Sequence, residues 1–480
     1  MKPLLTSIAA LFLAFTAFAQ PAALTTPVDS RYQIPATDDG LPGAGPIRRA
    51  DWFQKTWSER HSQWATRVAL DQHALVFLGD SITHGWGDAM GGSFPGVKVA
   101  NRGISGDTTR GVLIRLTADV LALHPAGVVL LIGTNDIEDQ AAPETIVGNL
   151  KLILAELKKS DPRMPIVLCE VFPSSASKKR PAEKIKHLNE LYAEAVKGDP
   201  QVTVLDTWSL FADGKGDAPA DLFPDLLHPN ARGYARWAAA LRPVFATLGF
   251  IETEPDAFVP EPGFVSLFNG HDLTGWGFRP TSAADIESAK NWQASDPHAA
   301  AWPIVKTVIS FDGQTASNDG RFLARAGRLV VATPSEGRRI QQLSTTREFP
   351  QDFILRIEFR ATPNADSGIF IREPQLQCRD YLVAGPYTKL TKYRPQDWNE
   401  IEITVHGRSA RCTCNGELLE EAFPVPATGP IGLEGDRGQM EYRRIRINLD
   451  SAVEAESTRS RSQLRGAEAS TAESGIKELP

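Results

Sequence analysis

Two short segments of this chain, far apart in the sequence, hold the residue types that acyl transfer needs. An apolar run at 76–78 leads through a Gly-Asp pair to Ser81, which puts a hydroxyl at the end of a predicted buried strand. Asp225 and His228 are three residues apart, so the carboxylate can orient the imidazole. A serine hydroxyl is a weak nucleophile until a base takes its proton. We therefore predict Ser81 as nucleophile, His228 as base and Asp225 as orienting acid of an ester hydrolase.

Acyl transfer also needs donors for the negative charge that develops on the carbonyl oxygen. Gly103 follows the second predicted strand and Asn135 follows the third. The carboxyl ends of parallel strands meet at one edge of a sheet, so these residues should lie near Ser81. The predicted oxyanion hole is the backbone N–H of Ser81, the backbone N–H of Gly103 and the side-chain amide of Asn135, each typically worth about 3 kcal/mol of barrier. Any one of these four segments alone would be interpreted as a turn or a helix cap. Four of them in order, each after a predicted strand, favour a catalytic site.

The elements that must position these residues alternate between strands and helices. Apolar strands are predicted at 75–78, 97–100, 128–132, 166–171 and 202–205. Amphipathic helices are predicted from Pro143, from Pro181 and over 231–248, and an entry helix over 51–67. Short, fully apolar strands between helices indicate an α/β fold with a parallel sheet covered on both faces.

Four blocks together resemble the SGNH (GDSL) hydrolase superfamily: Gly79-Asp80-Ser81-Ile82-Thr83, Asn101-Arg102-Gly103, Gly133-Thr134-Asn135-Asp136 and Asp225-Leu226-Leu227-His228. The resemblance covers residues 70–250 and implies a flavodoxin-like sheet with Ser, Gly, Asn and His in the roles given above. The segment 106–109 and the entry helix resemble the platelet-activating-factor acetylhydrolase-like branch, which is similar to many bacterial acetylesterases acting on sugars. Asp80 and Asp136 are expected to organise loops.

The rest of the chain divides by composition. Lys2, the apolar stretch 4–18 and a small-x-small pattern at 17–19 predict a signal peptide over 1–19, with an uncleaved anchor as the alternative. We therefore expect a secreted or periplasmic protein with no membrane span after cleavage. An N-terminal arm is predicted over 20–50, the hydrolase domain over 51–250, a Pro-rich acidic linker over 251–262 and a disordered tail over 451–480.

Residues 263–450 have a different pattern. Several predicted strands alternate polar and apolar residues, among them 353–359 and 400–405, with few helical stripes between them. This indicates an antiparallel all-β sandwich. Segments 264–276, 364–372 and 429–434 resemble the 3-keto-disaccharide hydrolase-like domain, a concanavalin-type jelly roll associated with glycan cleavage or binding.

The predicted glycan-binding residues of the sandwich are fewer and less specific. Trp276 and Trp398 are predicted to stack on sugar rings, and Asp380 and Glu434 to supply carboxylates. The chain departs from the family pattern in three places. Gln375 stands where Glu is frequent, Glu434 stands where Gln is usual, and Asp436-Arg437-Gly438 stands where His-Gly is common.

Composition excludes some classes of partner and cofactor. The 480 residues carry a formal net charge of −7 without a long basic run, which argues against nucleic acid. The four cysteines do not form a disulfide framework or a zinc motif; Cys169 should be a buried hydrophobe, and Cys412 or Cys414 could reach Cys378 from a neighbouring strand. No cofactor and no metal are predicted.

Taken together, the sequence predicts a secreted serine esterase whose substrate is an acylated carbohydrate or another small ester, with polysaccharide as a possible partner. Three alternatives stay open: a lipase or lysophospholipase on the same scaffold, a sandwich that cleaves 3-keto-glycosides as the main activity, and a non-catalytic glycan-binding protein. Neither the sugar, the acyl position nor the oligomeric state follows from the sequence.

Overall fold

The computed structural model describes residues 32–251, 257–295, 302–383 and 385–449. The predicted signal peptide, the first part of the predicted arm, most of the first half of the linker and the predicted tail lie outside these ranges. Within them, no helix combines the length and the apolar character that crossing a membrane requires.

The first domain is built on a five-stranded parallel sheet in the order β2-β1-β3-β4-β5. Its strands are β1 (Leu75–Gly79), β2 (Val99–Gly103), β3 (Gly127–Leu131), β4 (Ile166–Cys169) and β5 (Val202–Leu205). Strands β1, β3 and β4 are buried along their whole length because helices cover both faces of the sheet, which explains their uninterrupted apolar sequences. The predicted parallel α/β fold is confirmed.

Nine helices of this domain are described: α1 (Asp51–Ala65), α2 (Val68–Asp71), α3 (Ser81–Gly85), α4 (Thr109–Asp119), α5 (Thr134–Glu138), α6 (Pro143–Ser160), α7 (Ala182–Ala195), α8 (Thr207–Phe211) and α9 (Ala231–Leu248). The longest, α6 and α9, bury one apolar face each. Two separate apolar cores result, one on each side of the sheet.

Strand β2 differs from the prediction of 97–100. It begins at Val99 and continues through Asn101-Arg102-Gly103, paired in register with β1. The polar side chains are tolerated inside because they have partners: Arg102 donates to Asp71 Oδ2 at 2.8 Å and to the carbonyl of Asp119 at 3.0 Å. The prediction ended this strand too early because it excluded the polar residues that follow the apolar run.

The second domain is an antiparallel two-sheet sandwich, as predicted. One sheet has the path β17-β16-β15-β12-β19-β10-β9 with β6 paired to β19, and the other has the order β14-β13-β18-β11-β7-β8. Its strands are β6 (Val265–Ser266), β7 (Trp276–Phe278), β8 (Ile309–Ser310), β9 (Phe322–Arg325), β10 (Arg328–Val331), β11 (Gln341–Thr345), β12 (Phe353–Ala361), β13 (Gly368–Ile371), β14 (Gln375–Gln377), β15 (Asn399–His406), β16 (Ser409–Cys414), β17 (Glu417–Pro424), β18 (Ile431–Gly435) and β19 (Met440–Asn448). The alternating sequence of β12 buries every second residue between the sheets.

One described helix, α10 (Ala283–Ser295), interrupts these strands. It has no apolar stripe and buries Ala289 alone, so periodicity did not predict it.

Hydrogen bonds join the sandwich to α9, to Asp206 directly before α8, and to Gly198 after α7, whose N–H donates to the carbonyl of Ser335 at 2.7 Å. Asn364 Nδ2 donates to Asp206 Oδ2 at 2.7 Å, and Gln439 Nε2 donates to the carbonyl of Pro243 at 3.0 Å. A cavity of about 180 Å³ lies between the domains beside these contacts.

Candidate active site

Ser81 stands at the junction of β1 and α3. Asp80 caps this helix by accepting a hydrogen bond from the N–H of Ile82 at 2.9 Å. The turn needs glycine at position 79, because a Cβ there would lie 2.4 Å from the carbonyl oxygen of Leu131. Ser81 therefore lies at the carboxyl edge of the sheet, where β1 is flanked by β2 and β3. In this strand order, ligands bind at that edge.

His228 and Asp225 reach Ser81 from the loop before α9. Ser81 Oγ lies 2.8 Å from His228 Nε2, and His228 Nδ1 lies 2.7 Å from Asp225 Oδ2. An ionised carboxylate only accepts hydrogen bonds, so Nδ1 carries the proton and Nε2 is the acceptor for the serine hydroxyl. The structure thus brings together the three residues that the sequence predicted.

Asp225 is oriented by the backbone of its own loop. Its Oδ1 accepts from the N–H of His228 at 2.7 Å and of Leu227 at 3.1 Å, a geometry made possible by Leu226 at φ +62°. Burial alone would raise the pKa of Asp225, but the hydrogen bonds from the backbone and ring of His228 outweigh it and lower the pKa to about 2. The carboxylate is therefore ionised throughout the neutral range.

Asn135 belongs to α5, which begins directly after β3. Its Nδ2 donates to the carbonyl of Asp107 at 2.8 Å, and its Oδ1 accepts from Arg180 at 3.0 Å and from Arg48 at 3.3 Å. A primary amide has two N–H groups, and one of the two has no partner among the described residues. That group is available to a ligand.

The prediction for Gly103 is wrong. Its N–H donates to Asn101 Oδ1 at 2.8 Å and is therefore not free for an oxyanion. Glycine is required at 103 for another reason: a Cβ there would lie 2.3 Å from the backbone nitrogen of His84. Position 103 is a close-packing contact between β2 and α3.

Gly106 is a candidate donor that the sequence reasoning missed. It is buried in the loop between β2 and α4, has φ +87°, and its N–H has no hydrogen-bond acceptor within the described ranges. The same is true of the N–H of Ser81. This loop carries Asp107, whose carbonyl accepts from Asn135, and Ser105, whose hydroxyl lies 2.9 Å from His84 Nδ1. The signal in the sequence was the glycine that begins segment 106–109, because glycine can adopt a positive φ without strain.

Two buried carboxyl groups support these loops. Asp136 accepts from the N–H of Thr109 at 3.0 Å and from its hydroxyl at 2.6 Å, which ties α5 to α4. Asp80 Oδ2 has no partner in the described part of the chain. Burial raises the pKa of Asp136 to about 7 and that of Asp80 to about 6. Both lie where loop-organising residues were expected.

In the sandwich, the prediction that Trp276 stacks on a sugar is wrong. Its side chain is fully buried in the core between the sheets, and its indole N–H donates to the carbonyl of Leu267 at 2.7 Å. Trp398 is partly exposed, but the guanidinium carbons of Arg360 and Arg443 lie 4.7 and 4.0 Å from its ring centroid. Glycan binding by Trp398 stays a prediction.

Glu434 lies in a polar cluster on β18 and its neighbours. Asp436 is held by Arg338 through two hydrogen bonds of 2.6 Å, and Asp366 lies 3.1 Å from Arg379 and 3.2 Å from Arg437. Among the described residues, the carboxyl group of Glu434 is hydrogen-bonded to the side-chain amide of Gln375, which is a neutral partner. Burial, and then the charges of Asp436 and Asp366, raise the pKa of Glu434 to about 8.

Asp380 does not share a hydrogen-bond partner with Glu434. It is buried, and accepts from Tyr393 Oη at 3.1 Å, from Gln396 Nε2 at 3.2 Å and from the N–H of Asn364 at 3.2 Å. These bonds join the loop before β13 to the loop after β14, and glycan binding by Asp380 stays a prediction. The carboxylate beside Glu434 that the sequence reasoning missed is Asp366.

All four cysteines are free and buried, so the possible disulfide from Cys378 to Cys412 or Cys414 is not formed. Burial raises the pKa of the Cys169 thiol to about 12, as expected for an inert buried residue.

Comparison with known proteins matches both domains to families. Residues 77–236 match the GDSL-like Lipase/Acylhydrolase family, and residues 263–448 match the 3-keto-alpha-glucoside-1,2-lyase-like domain. Among curated relatives, human platelet-activating factor acetylhydrolase IB subunit alpha1 is 27% identical over 199 residues, covering 40% of this chain and 84% of the relative. The bovine alpha2 subunit is 25% identical over 207 residues, covering 42% and 87%.

Solved structures similar to this chain include a lipase and an esterase. A GDSL-like lipase from Bacteroides thetaiotaomicron is 27% identical, covers 39% of this chain and 97% of its own, and has a TM-score of 0.34. An acetylxylan esterase from Geobacillus stearothermophilus is 22% identical, covers 38% and 97%, and has a TM-score of 0.31.

Proposed function

Since the chain carries a GDSL-like acylhydrolase domain followed by a 3-keto-alpha-glucoside-1,2-lyase-like domain, we propose that it is an exported serine esterase that removes acetyl groups from carbohydrates. The observation that carries this proposal is the continuous line of hydrogen bonds from Ser81 Oγ through the His228 ring to Asp225, at 2.8 and 2.7 Å. Both side chains of the acid–base pair are more than 40% exposed, so an ester has access to them.

In the first half of the reaction, Ser81 Oγ attacks the carbonyl carbon of the ester while His228 Nε2 takes the hydroxyl proton. The imidazolium that forms is stabilised by the ionised Asp225. Collapse of the tetrahedral intermediate breaks the bond to the alcohol oxygen, which takes the proton from His228. The sugar leaves with a free hydroxyl, and the acyl group stays on Ser81.

In the second half, water attacks the acyl-serine while His228 takes one of its protons. The same proton returns to Ser81 Oγ as the carboxylic acid leaves. Each half passes through an oxyanion, and its proposed donors are the N–H of Ser81, the N–H of Gly106 and the free side-chain N–H of Asn135. Removal of one such donor typically costs about 3–4 kcal/mol of barrier.

Two features support a short acyl group on a sugar. The relatives of the first domain are named acetylhydrolases, which favours acetyl over long chains. The second domain belongs to a glycan-directed type, so one chain would combine an esterase with a domain for the same polymer. Export is supported by the apolar stretch 4–18 and by the small-x-small pattern at 17–19.

A second candidate activity belongs to the sandwich, and the observation that favours it is Glu434. With a pKa of about 8, Glu434 is protonated at neutral pH, as a general acid must be, and it lies beside the carboxyl groups of Asp436 and Asp366. Hydrolysis or elimination of a 3-keto-glycoside would then reside in this domain.

The test is Ser81→Ala in the full-length chain, with Ser62→Ala on the exposed face of α1 as the matched control. Turnover of p-nitrophenyl acetate and release of acetate from acetylated xylan should both fall at least about 1,000-fold in Ser81→Ala, with unchanged circular dichroism. The Ser62 variant should match the parent. Unchanged turnover in Ser81→Ala would refute the esterase assignment.

The same proteins separate the alternatives. Faster turnover of long-chain p-nitrophenyl esters than of the acetate would favour the lipase. Cleavage of 3-keto-glycosides that survives Ser81→Ala but is lost in Glu434→Gln would favour the sandwich as the main enzyme. Affinity for polysaccharide without turnover by the parent would favour a binding protein.

A further inference from the structure

We propose that Arg180 and Arg48 are positioning residues of the acyl-transfer site, because their guanidinium groups hold the amide of Asn135 with its free N–H directed to the oxyanion. The inference rests on the proposed function and adds two residues to it. One of them comes from the N-terminal arm, outside the core of the hydrolase domain.

The first step is the orientation of the amide. Both arginines contact the same atom, Oδ1 of Asn135, at 3.0 Å from Arg180 and 3.3 Å from Arg48. A guanidinium group only donates hydrogen bonds, and the carbonyl of Asp107 on the other side only accepts them. Rotating the amide by half a turn would therefore oppose donor to donor and acceptor to acceptor, so one orientation is fixed.

The second step is that the arginines are themselves held. Glu138 Oε2 accepts from Arg48 at 2.6 Å and from Arg180 at 2.7 Å, and Asp139 accepts two bonds of 2.9 Å from Arg48. Arg180 also donates to the carbonyl of Thr134 at 3.0 Å. Both guanidinium groups are thus anchored to α5, the helix that carries Asn135, and their position relative to the amide is preorganised.

The third step concerns the arm. Residues 42–46 are bound to the domain by the Ala44 N–H to Asn149 Oδ1 at 3.0 Å and by the Thr108 hydroxyl to the carbonyl of Pro46 at 2.9 Å. Arg48 follows directly, and its side chain is 16% exposed. The arm therefore closes over α5 and supplies the second guanidinium group.

Two consequences follow for catalysis. A fixed amide needs no reorganisation when negative charge develops on the substrate oxygen, and cationic groups on its carbonyl oxygen make its N–H a stronger donor. Without the arginines the amide is held by the Asp107 carbonyl alone. The loss should therefore be felt in kcat and not in substrate binding.

The experiment is a double-mutant cycle on acetate ester turnover. Arg180→Met should lower kcat about 10- to 100-fold and Arg48→Met about 3- to 10-fold, each with KM within about twofold of the parent, because one oxyanion donor is weakened and not removed. The matched control is Arg49→Met. Arg49 is the next residue of the arm but donates to Asp38 and to the carbonyl of Pro35, so this variant should keep the parent kcat.

The decisive measurement repeats the Arg180→Met and Arg48→Met substitutions in the Asn135→Ala background. If the arginines act through Asn135, their substitution there should change kcat less than about twofold. Equal losses in both backgrounds would overturn the inference, as would a parent-like kcat in both single variants. Arg180 is buried, so Arg48→Met keeps the test valid if Arg180→Met does not fold. Failure of the proposed function is distinguishable, because Ser81→Ala would then retain turnover.

Discussion

The two domains each hold a polar centre with carboxyl groups, and the two centres differ in how their charges are compensated. In the first, Asp225 and His228 are 45% and 42% exposed, and three N–H groups around Ser81 have no acceptor among the described residues. In the second, Glu434, Asp366 and Asp436 are at most 7% exposed, and arginines neutralise the two aspartates. The first centre has unused hydrogen-bonding capacity at the surface, whereas the second has most of it satisfied internally.

This difference follows from the architecture of each domain. A parallel sheet ends all its strands at one edge, where loops from distant parts of the chain converge and backbone N–H groups are not consumed by neighbours. An antiparallel sandwich uses the backbone groups of its strands within the sheets, and the polar cluster around Glu434 is built from side chains. A buried charge there requires a partner. Substitutions should therefore affect turnover in the first centre and stability in the second.

The largest effect is expected in the first centre. Asp225→Asn should lower kcat for acetate esters about 1,000-fold or more, since the amide no longer fixes the His228 tautomer or stabilises its cation. Thermal unfolding should change much less than turnover, because the amide oxygen of Asn still accepts from the N–H groups of Leu227 and His228. The measurement is steady-state kinetics beside calorimetry, with Asp221→Asn, another exposed carboxylate of the same loop region, as control. More than a tenth of the parent turnover in Asp225→Asn would contradict the role of this carboxylate.

The next effect concerns Glu434 and has a defined sign with pH. Its pKa in the folded protein, about 8, lies above the ordinary value of 4.5, so folding takes up a proton. This contribution to stability is complete below about pH 4.5 and is lost as pH rises toward 8. Glu434→Gln should remove that loss and raise the free energy of unfolding at pH 8 by about 2–4 kcal/mol relative to the parent.

Urea unfolding of Glu434→Gln at pH 5 to 9 measures this effect. Glu421→Gln is the control, since Glu421 is exposed on β17 and should show the pH dependence of the parent. A parallel pH dependence in parent and Glu434→Gln would show that Glu434 is ionised in the folded protein at neutral pH.

The smallest effect is expected at Trp398. If the ring packs mainly against Arg360 and Arg443, Trp398→Leu should lower the free energy of unfolding by about 1–2 kcal/mol and leave polysaccharide affinity unchanged. Trp398→Phe keeps an aromatic face and should lose less than half of that amount. Affinity electrophoresis in gels that contain polysaccharide measures binding. If the parent and Trp398→Phe are retarded but Trp398→Leu is not, Trp398 has the predicted sugar-binding role.

Much of the first domain could be predicted because its signals are local. A fully apolar run followed by Gly-Asp-Ser determines a strand, a tight turn and the position of the serine. The prediction of Gly103 was wrong because the side chain of Asn101, two residues earlier, accepts a hydrogen bond from that N–H, a short-range contact that the prediction did not consider. Gly106, three residues further, has an N–H without an acceptor among the described residues.

The sandwich shows the same limit more clearly. The alternation in β12 predicts which residues face the core, but nothing in the sequence distinguishes a core tryptophan such as Trp276 from a surface one. Likewise, Asp380 and Asp366 are both carboxylates in loops, and the sequence favoured the former. Only Asp366 lies beside Glu434, because β13 and β18 are adjacent in the sheet.

The sequence by itself determined the two architectures and the three residues of the acid–base line, since periodicity and short motifs are encoded by neighbours along the chain. The tertiary structure alone decided which N–H groups stay unbonded, which carboxylates meet, and that Arg48 and Arg180 converge on Asn135 from 87 and 45 residues away. Hydrogen-bond donors and charges are assigned by competition among all groups within a few ångströms, and that competition exists only once distant segments have been packed together.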